Sequence, residues 1–507
     1  MVVELHCHTS EHSACSHVNA VQLIKRAFAI GLQAVVITDH HYQWKDDELA
    51  GVKSRAGIPD FFHVLAGQEF KTSDYGDILV YGVKETIKKQ PLTLEEVRQK
   101  YSDAAIIWAH PYRHNKIPEK EKLLNPLLDG IEIFSSNYNV LEAARALKDW
   151  HELKYTAIAG TDTHALSYTG SYPTIFDHPV TTIEGIVEEL KQGRCRPYFK
   201  EVEKSGTSDT KVTEVTFGPK TSRKKIIVKT YEDIEGWKEG ERSQYIAGEI
   251  YNNGFKGGKF RVSRPLQKDE KNLSLIEEHV NGETLYDKLL NANEEKAKEY
   301  IKMAAGWLAK LHNLQLKVTP DDEFLKIEKE RLEYYLSGMY THNHSHTKRA
   351  QDVLDEVWEN EVEIFNSYPE ILVQSHGDFH LKNIVVSIDE GSGEEYMTCI
   401  DFDSSYRLPR AFDAGTFIAQ YRNMFFDKPE VTQKAPVELF LREYLEKSLN
   451  TNPDFGPQVQ LYKARANLSI IYYLVKVGKG DSENFWTVLV DAERNLAHMK
   501  FKRTFKT

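Results

Sequence analysis

VVELHCHTSEHSACS, residues 2–16, combines a short apolar run typical of a β-strand with three histidines, His6, His8 and His12. His6 and His8 are two positions apart, so on a strand their side chains point to the same side. Two imidazoles on one side of a strand can bind one cation together. The stretch therefore predicts that a metal site lies at the end of the first strand.

The same arrangement, a short apolar run followed by metal-capable side chains, recurs four more times before residue 165. The runs AVVIT, HVLAGQ, AAIIWA and YTAIAGT are followed by Asp39, His40 and His41, by Glu69, by His110, and by Asp162 and His164. Strands that alternate with helical periodicity predict a parallel sheet, here closed into a barrel. Because the C-terminal ends of barrel strands share one rim, we expect these side chains to converge there.

These segments carry a resemblance to a known family. ELHCHT, ITDHH, GQE, WAHP and GTDTH, in this order within residues 1–200, resemble the PHP family of polymerase and histidinol phosphatase domains. The resemblance implies a distorted seven-stranded β/α barrel with two or three divalent ions, and hydrolysis of phosphate esters by metal-bound hydroxide. By motif match, the implied ligands are His6, His8, His40, Glu69, His110, Asp162 and His164.

Two ligand positions of the PHP family have more than one candidate in this sequence. The family supplies a further ligand shortly after HxH, and Glu11 and His12 both qualify. Between WAHP and GTDTH, the segment GIEIFSSNYN offers Glu132 and Asn137 where a histidine is expected. Mixed histidine and carboxylate ligands suit Zn, Mn or Fe.

A different chemistry is indicated by VQSHGDFHLKNIVV, residues 373–386, followed by CIDFD. Phosphoryl transfer needs a carboxylate that orients the acceptor hydroxyl, together with an amide and a second carboxylate that hold Mg²⁺ on the phosphates. Asp378, Asn383 and Asp401 provide these three groups in that order. We therefore predict that Asp378 is catalytic and that Asn383 and Asp401 are Mg²⁺ ligands.

Upstream segments supply candidates for nucleotide binding. The strand-like KKIIVKTY places Lys229 where a lysine can bind the phosphates, and Glu241 is its predicted partner, with Glu249 as the alternative. LSLIEEHVNGETL predicts a hinge whose backbone contacts adenine near Glu278 and Val280.

Residues 212–507, with HGDFHLKN as the catalytic loop, resemble the aminoglycoside phosphotransferase family of protein-kinase-like enzymes. This resemblance implies a bilobal α+β kinase fold, ATP, Mg and a small-molecule hydroxyl acceptor. One feature departs from a kinase pattern: TFGPKTSRKK, where we place the phosphate-covering loop, contains a single glycine. We predict a PHP-like domain at residues 1–200, a charged linker at 201–211 and a kinase domain at 212–507.

Composition limits the classes of partner. The formal net charge is −11, and both halves of the chain are mildly acidic, which disfavours but does not exclude nucleic acid. Four scattered cysteines without a CxxC pair, and no apolar run of membrane-spanning length, predict a cytoplasmic protein without a membrane partner.

The two motif sets together predict a bifunctional enzyme that hydrolyses a small-molecule phosphate ester and phosphorylates a small-molecule hydroxyl. The alternative is a PHP nuclease or phosphodiesterase that acts on nucleic acid, with a regulatory or ligand-sensing kinase-like domain.

Overall fold

The computed structural model describes residues 1–204, 210–219, 223–367, 371–449 and 454–504. The chain divides into two compact units, the first formed by Met1–Trp237 and Leu266–His279, and the second by Lys238–Pro265 and Val280–Thr507. This division differs from the predicted boundary near residue 200. Within the described ranges, no helix has the length and apolar character needed to cross a membrane.

The first unit begins with a sheet of nine strands and six helices around it. The strands are β1 (Val2–Glu4), β2 (Ala34–Ile37), β3 (His63–Thr72), β4 (Gly76–Tyr81), β5 (Ala105–Trp108), β6 (Gly130–Phe134), β7 (Ala157–Ala159), β8 (Thr174–Phe176) and β9 (Cys195–Pro197). The helices are α1 (Ala20–Ala29), α2 (Asp46–Ala56), α3 (Leu94–Lys100), α4 (Lys120–Leu123), α5 (Val140–Leu153) and α6 (Ile183–Lys191).

The nine strands lie in the order β7-β6-β5-β4-β3-β2-β1-β8-β9. Strands β1, β2 and β3 are parallel, as are β5, β6 and β7. A further parallel bridge, between Cys7 and Thr163, joins the segments that follow β1 and β7 and closes the ring of β1–β7 at that end. The barrel-like sheet that we expected is present, and β8 and β9 extend the sheet beyond β1 to nine strands in all.

The expectation of a purely parallel sheet is wrong at β4, which is antiparallel to both β3 and β5. Only residues 73–75 separate β3 from β4, too few for the helical crossover that parallel strands require. Gly76 begins β4 with φ +78°, a left-handed conformation that glycine adopts without steric cost.

Strand β1 shows how the sequence turns polar groups inward. Val3 and Leu5 are fully buried in an apolar cluster with Leu79 and Ile107. Glu4 and His6 alternate with them and are also fully buried, so they need polar partners inside the barrel.

The next elements form a five-stranded sheet and a long helix. They are β10 (Lys200–Lys204), β11 (Thr210–Phe217), β12 (Lys224–Tyr231), α7 (Ile234–Ile250), β13 (Phe260–Val262), β14 (Pro265–Asp269) and β15 (Ser274–Glu278). The sheet has the order β10-β11-β12-β15-β14, without β13. It packs on the barrel within the first unit, where the rings of Phe217 and Phe134 stack with centroids 4.5 Å apart.

This sheet corrects the predicted linker at residues 201–211. Residues 200–204 form β10, which pairs with β11 in an antiparallel ladder; residues 205–209 of the predicted linker lie outside the described residues. The strand has one apolar residue, Val202, and cross-strand charge pairs support it, with Lys204 Nζ 2.8 Å from Glu214 Oε2. The predicted phosphate-covering loop joins β11 to β12, and its residues 220–222 are also outside the described ranges.

The second unit combines a small sheet with a helical core. Its further strands are β16 (Glu283–Thr284), β17 (Leu372–Gln374), β18 (Ile384–Ile388), β19 (Glu395–Cys399) and β20 (Arg407–Pro409). Its further helices are α8 (Leu285–Asn291), α9 (Glu294–Asn313), α10 (Glu323–Thr341), α11 (Thr347–Ser367), α12 (Ala411–Met424), α13 (Pro429–Lys434), α14 (Glu438–Lys447), α15 (Phe455–Lys476) and α16 (Glu483–Thr504). Strands β13-β19-β18-β16 form one sheet and β17-β20 another.

Candidate functional site

Six of the predicted metal ligands converge at one end of the barrel. Three overlapping groups have ligand atoms within 4.8 Å of one another, which is close enough to hold metal ions. The groups are His6, Glu69 and His110; His6, His8 and Asp162; and His8, His40 and Glu69. These side chains come from segments up to 156 residues apart, and the barrel rim brings them together as predicted.

Two carboxylates occupy the centre of this cluster. Glu69 Oε2 lies 3.1 Å from His8 Nε2 and 3.1 Å from His40 Nδ1, and Glu69 Oε1 lies 3.3 Å from His110 Nε2. Asp162 Oδ1 is 3.1 Å from His8 Nε2. Glu69 belongs to two of the three groups, so its carboxylate is shared between them.

The donor atoms themselves indicate that a cation fits here. A carboxylate can only accept, so the bond of 3.0 Å between His6 Nδ1 and Glu132 Oε1 puts the imidazole proton on Nδ1. When this ring is neutral, as an imidazole that binds a metal must be, His6 Nε2 carries a lone pair, and it faces His8 Nε2 at 3.2 Å. Buried Glu69 Oε2 accepts no well-aligned hydrogen bond from any described residue. Lone pairs that converge without donors are the arrangement that a divalent cation satisfies.

The electrostatics of the cluster show how strongly its charges interact. Burial disfavours an imidazolium at His6, but the carboxylates of Glu132, Asp162 and Glu69 outweigh it and raise the pKa of His6 well above its usual value. Burial alone would raise the pKa of Glu69, but the surrounding histidines hold it well below the usual range. Both carboxylates at the centre, Glu69 and Asp162, are therefore anionic at neutral pH.

The backbone is strained where it presents two of these ligands. His110 and Asp162 have φ values of 31° and 50°, in the left-handed region that non-glycine residues rarely adopt. Gly160 leaves space for the cluster, because a Cβ there would lie 2.4 Å from Glu132 Oε1 and 2.4 Å from the Cβ of His6. The folded chain therefore adopts disfavoured backbone conformations at His110 and Asp162, the residues that carry these groups.

Three predicted ligands lie outside the three groups. The carboxylate of Glu11 accepts hydrogen bonds from the N–H of Ala20 at the start of α1, and the ring of His12 stacks on Tyr42 with centroids 3.4 Å apart. His164 is at the margin, with Nδ1 3.5 Å from Asp162 Oδ1. Glu11 and His12 therefore have other partners in the structure, and their ligand roles stay predictions.

The alternatives for the missing histidine are positioning residues in this geometry. Glu132 is fully buried and accepts hydrogen bonds from His6 Nδ1 and from the N–H of His110, at 3.0 and 2.9 Å. Asn137 Nδ2 donates to Asp162 Oδ2. Each therefore holds a ligand of the cluster in place.

Sequence reasoning missed Glu4, which is also fully buried next to the cluster. Its carboxylate accepts hydrogen bonds from the N–H groups of His6 and Thr161, and burial raises its pKa to about 7. The signal was available, because Glu4 is a charged residue within the apolar run VVEL and shares the face of His6.

In the second unit, the residues of the predicted catalytic loop lie between β17 and β18. Asn383 Nδ2 donates to the carbonyl and to Oδ2 of Asp378, at 3.0 and 3.2 Å, and His380 Nε2 is 3.4 Å from the same Oδ2. Burial opposes ionisation, but His380 above all lowers the pKa of Asp378 to about 2. Asp401 follows β19 with φ 69°, again in the left-handed region.

Asp413 of α12, which sequence reasoning also missed, fixes the start of this loop. Its carboxylate is fully buried and accepts the N–H groups of His376 and Gly377 at 2.7 and 2.8 Å. His312 Nε2 is 3.1 Å from the same carboxylate. Asp413 therefore holds the backbone immediately before Asp378 by two hydrogen bonds. His312 in turn contacts the carboxylate of Asp413.

The predicted nucleotide-binding residues are distributed over both units. Lys229 lies in β12 of the first unit, where its Nζ is 3.3 Å from Glu277 Oε1. Glu278 ends β15 in the first unit, whereas Glu241 in α7 and Val280 belong to the second. Their roles, and that of the alternative Glu249, stay predictions.

Comparisons with known proteins find one family match in each of the two predicted domains. The model of the APH phosphotransferase enzyme family matches residues 221–449, and the PHP-associated family model matches residues 142–195. No curated protein matches the chain.

Similar solved structures fall into two classes. An ethanolamine kinase from Plasmodium vivax is 16% identical with a TM-score of 0.39, covering 59% of this chain and 81% of that one. A choline kinase from Cryptosporidium parvum is 13% identical with a TM-score of 0.39, covering 60% and 91%. A putative metal-dependent phosphoesterase from Bifidobacterium adolescentis is 17% identical with a TM-score of 0.27, covering 37% and 95%.

The family matches fall in the same two regions as the two predicted sites. The chain carries a region of the APH phosphotransferase enzyme family at residues 221–449 and a PHP-associated region at residues 142–195.

Proposed function

We propose that this protein is a bifunctional enzyme, a multinuclear-metal phosphoesterase joined to an ATP- and Mg-dependent kinase. The observation that carries the proposal is the convergence of His6, His8, His40, Glu69, His110 and Asp162 on a small volume, in a chain that also contains the predicted catalytic loop HGDFHLKN. Small-molecule substrates, in preference to nucleic acid, agree with the acidic charge of both halves.

In the barrel, the residues of the chain would hold the metal ions and orient the side chains that bind them. The three ligand groups would hold two or three divalent cations, which supply Lewis-acid polarisation of a phosphoryl oxygen and activate water. Glu132 accepts hydrogen bonds from the ring of His6 and from the backbone of His110, so the ring of His6 and the backbone of His110 are held before substrate binds. The mixture of imidazole and carboxylate favours Zn, Mn or Fe.

In the kinase, Asp378, which is ionised at neutral pH, would accept a hydrogen bond from the acceptor hydroxyl. Asn383 and Asp401 would hold Mg²⁺ on the nucleotide, and Lys229 would bind its phosphates. Asp413 positions the loop through the backbone of His376 and Gly377.

The test uses wild type, His8→Ala and Asp378→Ala, each with bound metal content measured by elemental analysis. Phosphate release is followed on a panel of phosphomonoesters and on single-stranded DNA, and ATP-dependent phosphorylation on a panel of small alcohols. We expect His8→Ala to lose hydrolysis and metal while it retains phosphorylation, and Asp378→Ala to do the reverse.

His63→Ala and Asp352→Ala are the matched controls, because His63 is outside the metal groups and Asp352 pairs with Lys348 on the surface. Both should retain both activities. Loss of both activities in either folded active-site variant contradicts two independent sites, and faster turnover of single-stranded DNA than of every phosphomonoester favours a nuclease.

A further inference from the structure

Lys224, the first residue of β12, reaches from the five-stranded sheet to the barrel. Its Nζ donates a hydrogen bond to the backbone carbonyl of Tyr138, in the connection between β6 and α5. The same ammonium group lies 5.6 Å from the ring centroid of Tyr172, two residues before β8. All three residues belong to the first compact unit. Lys224 is within the predicted kinase domain, but its side chain contacts the barrel.

The two segments that this ammonium group contacts meet at a metal ligand. Asn137, the residue before Tyr138, donates through Nδ2 to Asp162 Oδ2. The N–H of Tyr172 donates to Thr161 Oγ1 at 3.2 Å, and Thr161 directly precedes Asp162. The amine therefore faces both segments that bring Asp162 into position.

Tyr138 is well suited to link the lysine to Asn137. Its side chain is 1% exposed, and its hydroxyl donates to the carbonyl of Glu132 at 3.3 Å and accepts from the N–H of Tyr112 at 3.1 Å. The hydroxyl and the carbonyl of this residue are thus both held. Because a planar peptide bond joins it to Asn137, a shift of Tyr138 moves the Asn137 amide relative to Asp162.

The sheet fixes the place from which Lys224 reaches the barrel. Lys224 is directly opposite Phe217 in the antiparallel pair of β11 and β12, so both side chains lie on the same face of the sheet. The ring of Phe217 stacks on Phe134 at the end of β6, with centroids 4.5 Å apart. An aromatic contact and a charge-assisted hydrogen bond therefore hold the sheet against residues 134 and 138, on either side of Asn137.

The position of this ammonium group costs stability. Burial lowers the pKa of Lys224 from 10.5 to about 8, which means that the folded protein disfavours the charged form. A methionine would fill similar space without that cost. A charged group at such a position indicates a role other than packing, since proteins give up stability mainly where function requires it.

We propose that Lys224 is a positioning residue of the metal site, and that the five-stranded sheet is thereby a functional part of the phosphoesterase. Through Tyr138, Lys224 keeps Asn137 against Asp162, and removal of the ammonium group loosens that ligand. The inference rests on the proposed function of the barrel, to which it adds a residue from outside the predicted PHP-like domain.

The test compares full-length wild type with Lys224→Met, Lys224→Arg and Lys271→Met. Arginine keeps a cationic donor at position 224. Lys271 is the matched control, because its Nζ also donates from this sheet to a barrel carbonyl, that of Glu152 in α5, at 2.5 Å. Two properties are measured on metal-free protein: hydrogen–deuterium exchange of the amides of residues 135–139, and Zn²⁺ affinity by competition with a chelator.

We expect the amides of residues 135–139 to exchange roughly threefold faster or more in Lys224→Met, because this segment opens more readily. Its Zn²⁺ affinity should fall about three- to tenfold, less than the roughly 10- to 100-fold expected when a direct partner of a ligand is lost. Lys224→Arg and Lys271→Met should match wild type in both properties. Unchanged exchange and Zn²⁺ affinity in Lys224→Met overturn the proposal, and so does an equal loss in Lys271→Met.

A double-mutant cycle tests the route through Asn137. In protein that already carries Asn137→Ala, Lys224→Met should weaken Zn²⁺ binding little further, because both changes break the same link. Additive losses in variants that circular dichroism shows to be folded overturn the proposal. Wild type that neither binds Zn²⁺ nor hydrolyses a phosphomonoester contradicts the proposed phosphoesterase, whereas the exchange rates still decide whether Lys224 holds this segment.

Discussion

Replacement of Glu132 by glutamine tests whether the cluster depends on the residues that hold its ligands. Both carboxylate oxygens of Glu132 accept, one from His6 Nδ1 at 3.0 Å and one from the N–H of His110 at 2.9 Å. Glutamine offers one oxygen and one NH₂ group, so one of these two donors must face another donor. Loss of such a partner to a metal ligand reduces metal affinity about 10- to 100-fold, or about 1.4–2.7 kcal/mol.

The assay is competitive titration of metal-free protein with Zn²⁺ against a chelator, together with kcat/KM for a phosphomonoester. Glu142→Gln is the matched control, because Glu142 is a buried carboxylate that accepts from the N–H groups of Asn115 and Asn139 at 2.7 and 2.8 Å, outside the metal groups. Unchanged Zn²⁺ affinity in Glu132→Gln would refute the reasoning. An equal loss in Glu142→Gln would show that general destabilisation is the cause.

Three further outcomes are expected. Asp413→Asn should lower the kcat of phosphorylation at least tenfold while phosphate ester hydrolysis persists, because an amide cannot accept both N–H groups of the loop before Asp378; steady-state kinetics of both reactions check this. Gly377→Ala should destabilise the fold by at least about 3 kcal/mol in denaturant unfolding, because its Cβ would lie 1.7 Å from the carbonyl oxygen of Ser404 at φ +84°. Burial lowers the pKa of Lys224 to about 8 from 10.5, so between pH 8 and 10.5 the unfolded chain binds more protons than the folded one. Wild type should therefore gain up to about 3 kcal/mol relative to Lys224→Met as pH rises through that window, in urea unfolding; a pH-independent difference would contradict this.

The convergence of these side chains could be predicted from the sequence because they lie at the ends of strands. His6, His8, His40, Glu69 and His110 each follow or end a short apolar run, and the barrel makes those ends neighbours whatever the details of packing. Glu11 and His12 follow the first apolar run, but their side chains contact Ala20 and Tyr42, which come close to them only in the folded chain. Local spacing could not distinguish a ligand from a residue with another partner.

The errors in the fold have a similar origin. Strand β10 looked like a linker because its five residues include a single apolar one, and its partners, such as Glu214, lie on the next strand. The role of Asp413 was invisible because its donors are 36, 37 and 101 residues away. Patterns of period two or 3.6 report which face of an element is buried, but not which distant side chain it meets.

The first compact unit takes its residues from two stretches of the chain, and this affects its synthesis. Strand β12 lies between β11 and β15, but β15 begins at Ser274, after residues 238–265 have passed to the second unit. On the ribosome, the barrel can form while one edge of β12 is still unpaired, and an unpaired edge is a template for aggregation. A protein truncated after residue 237 would keep that edge permanently, so expression of the barrel and its attached sheet requires the chain through His279.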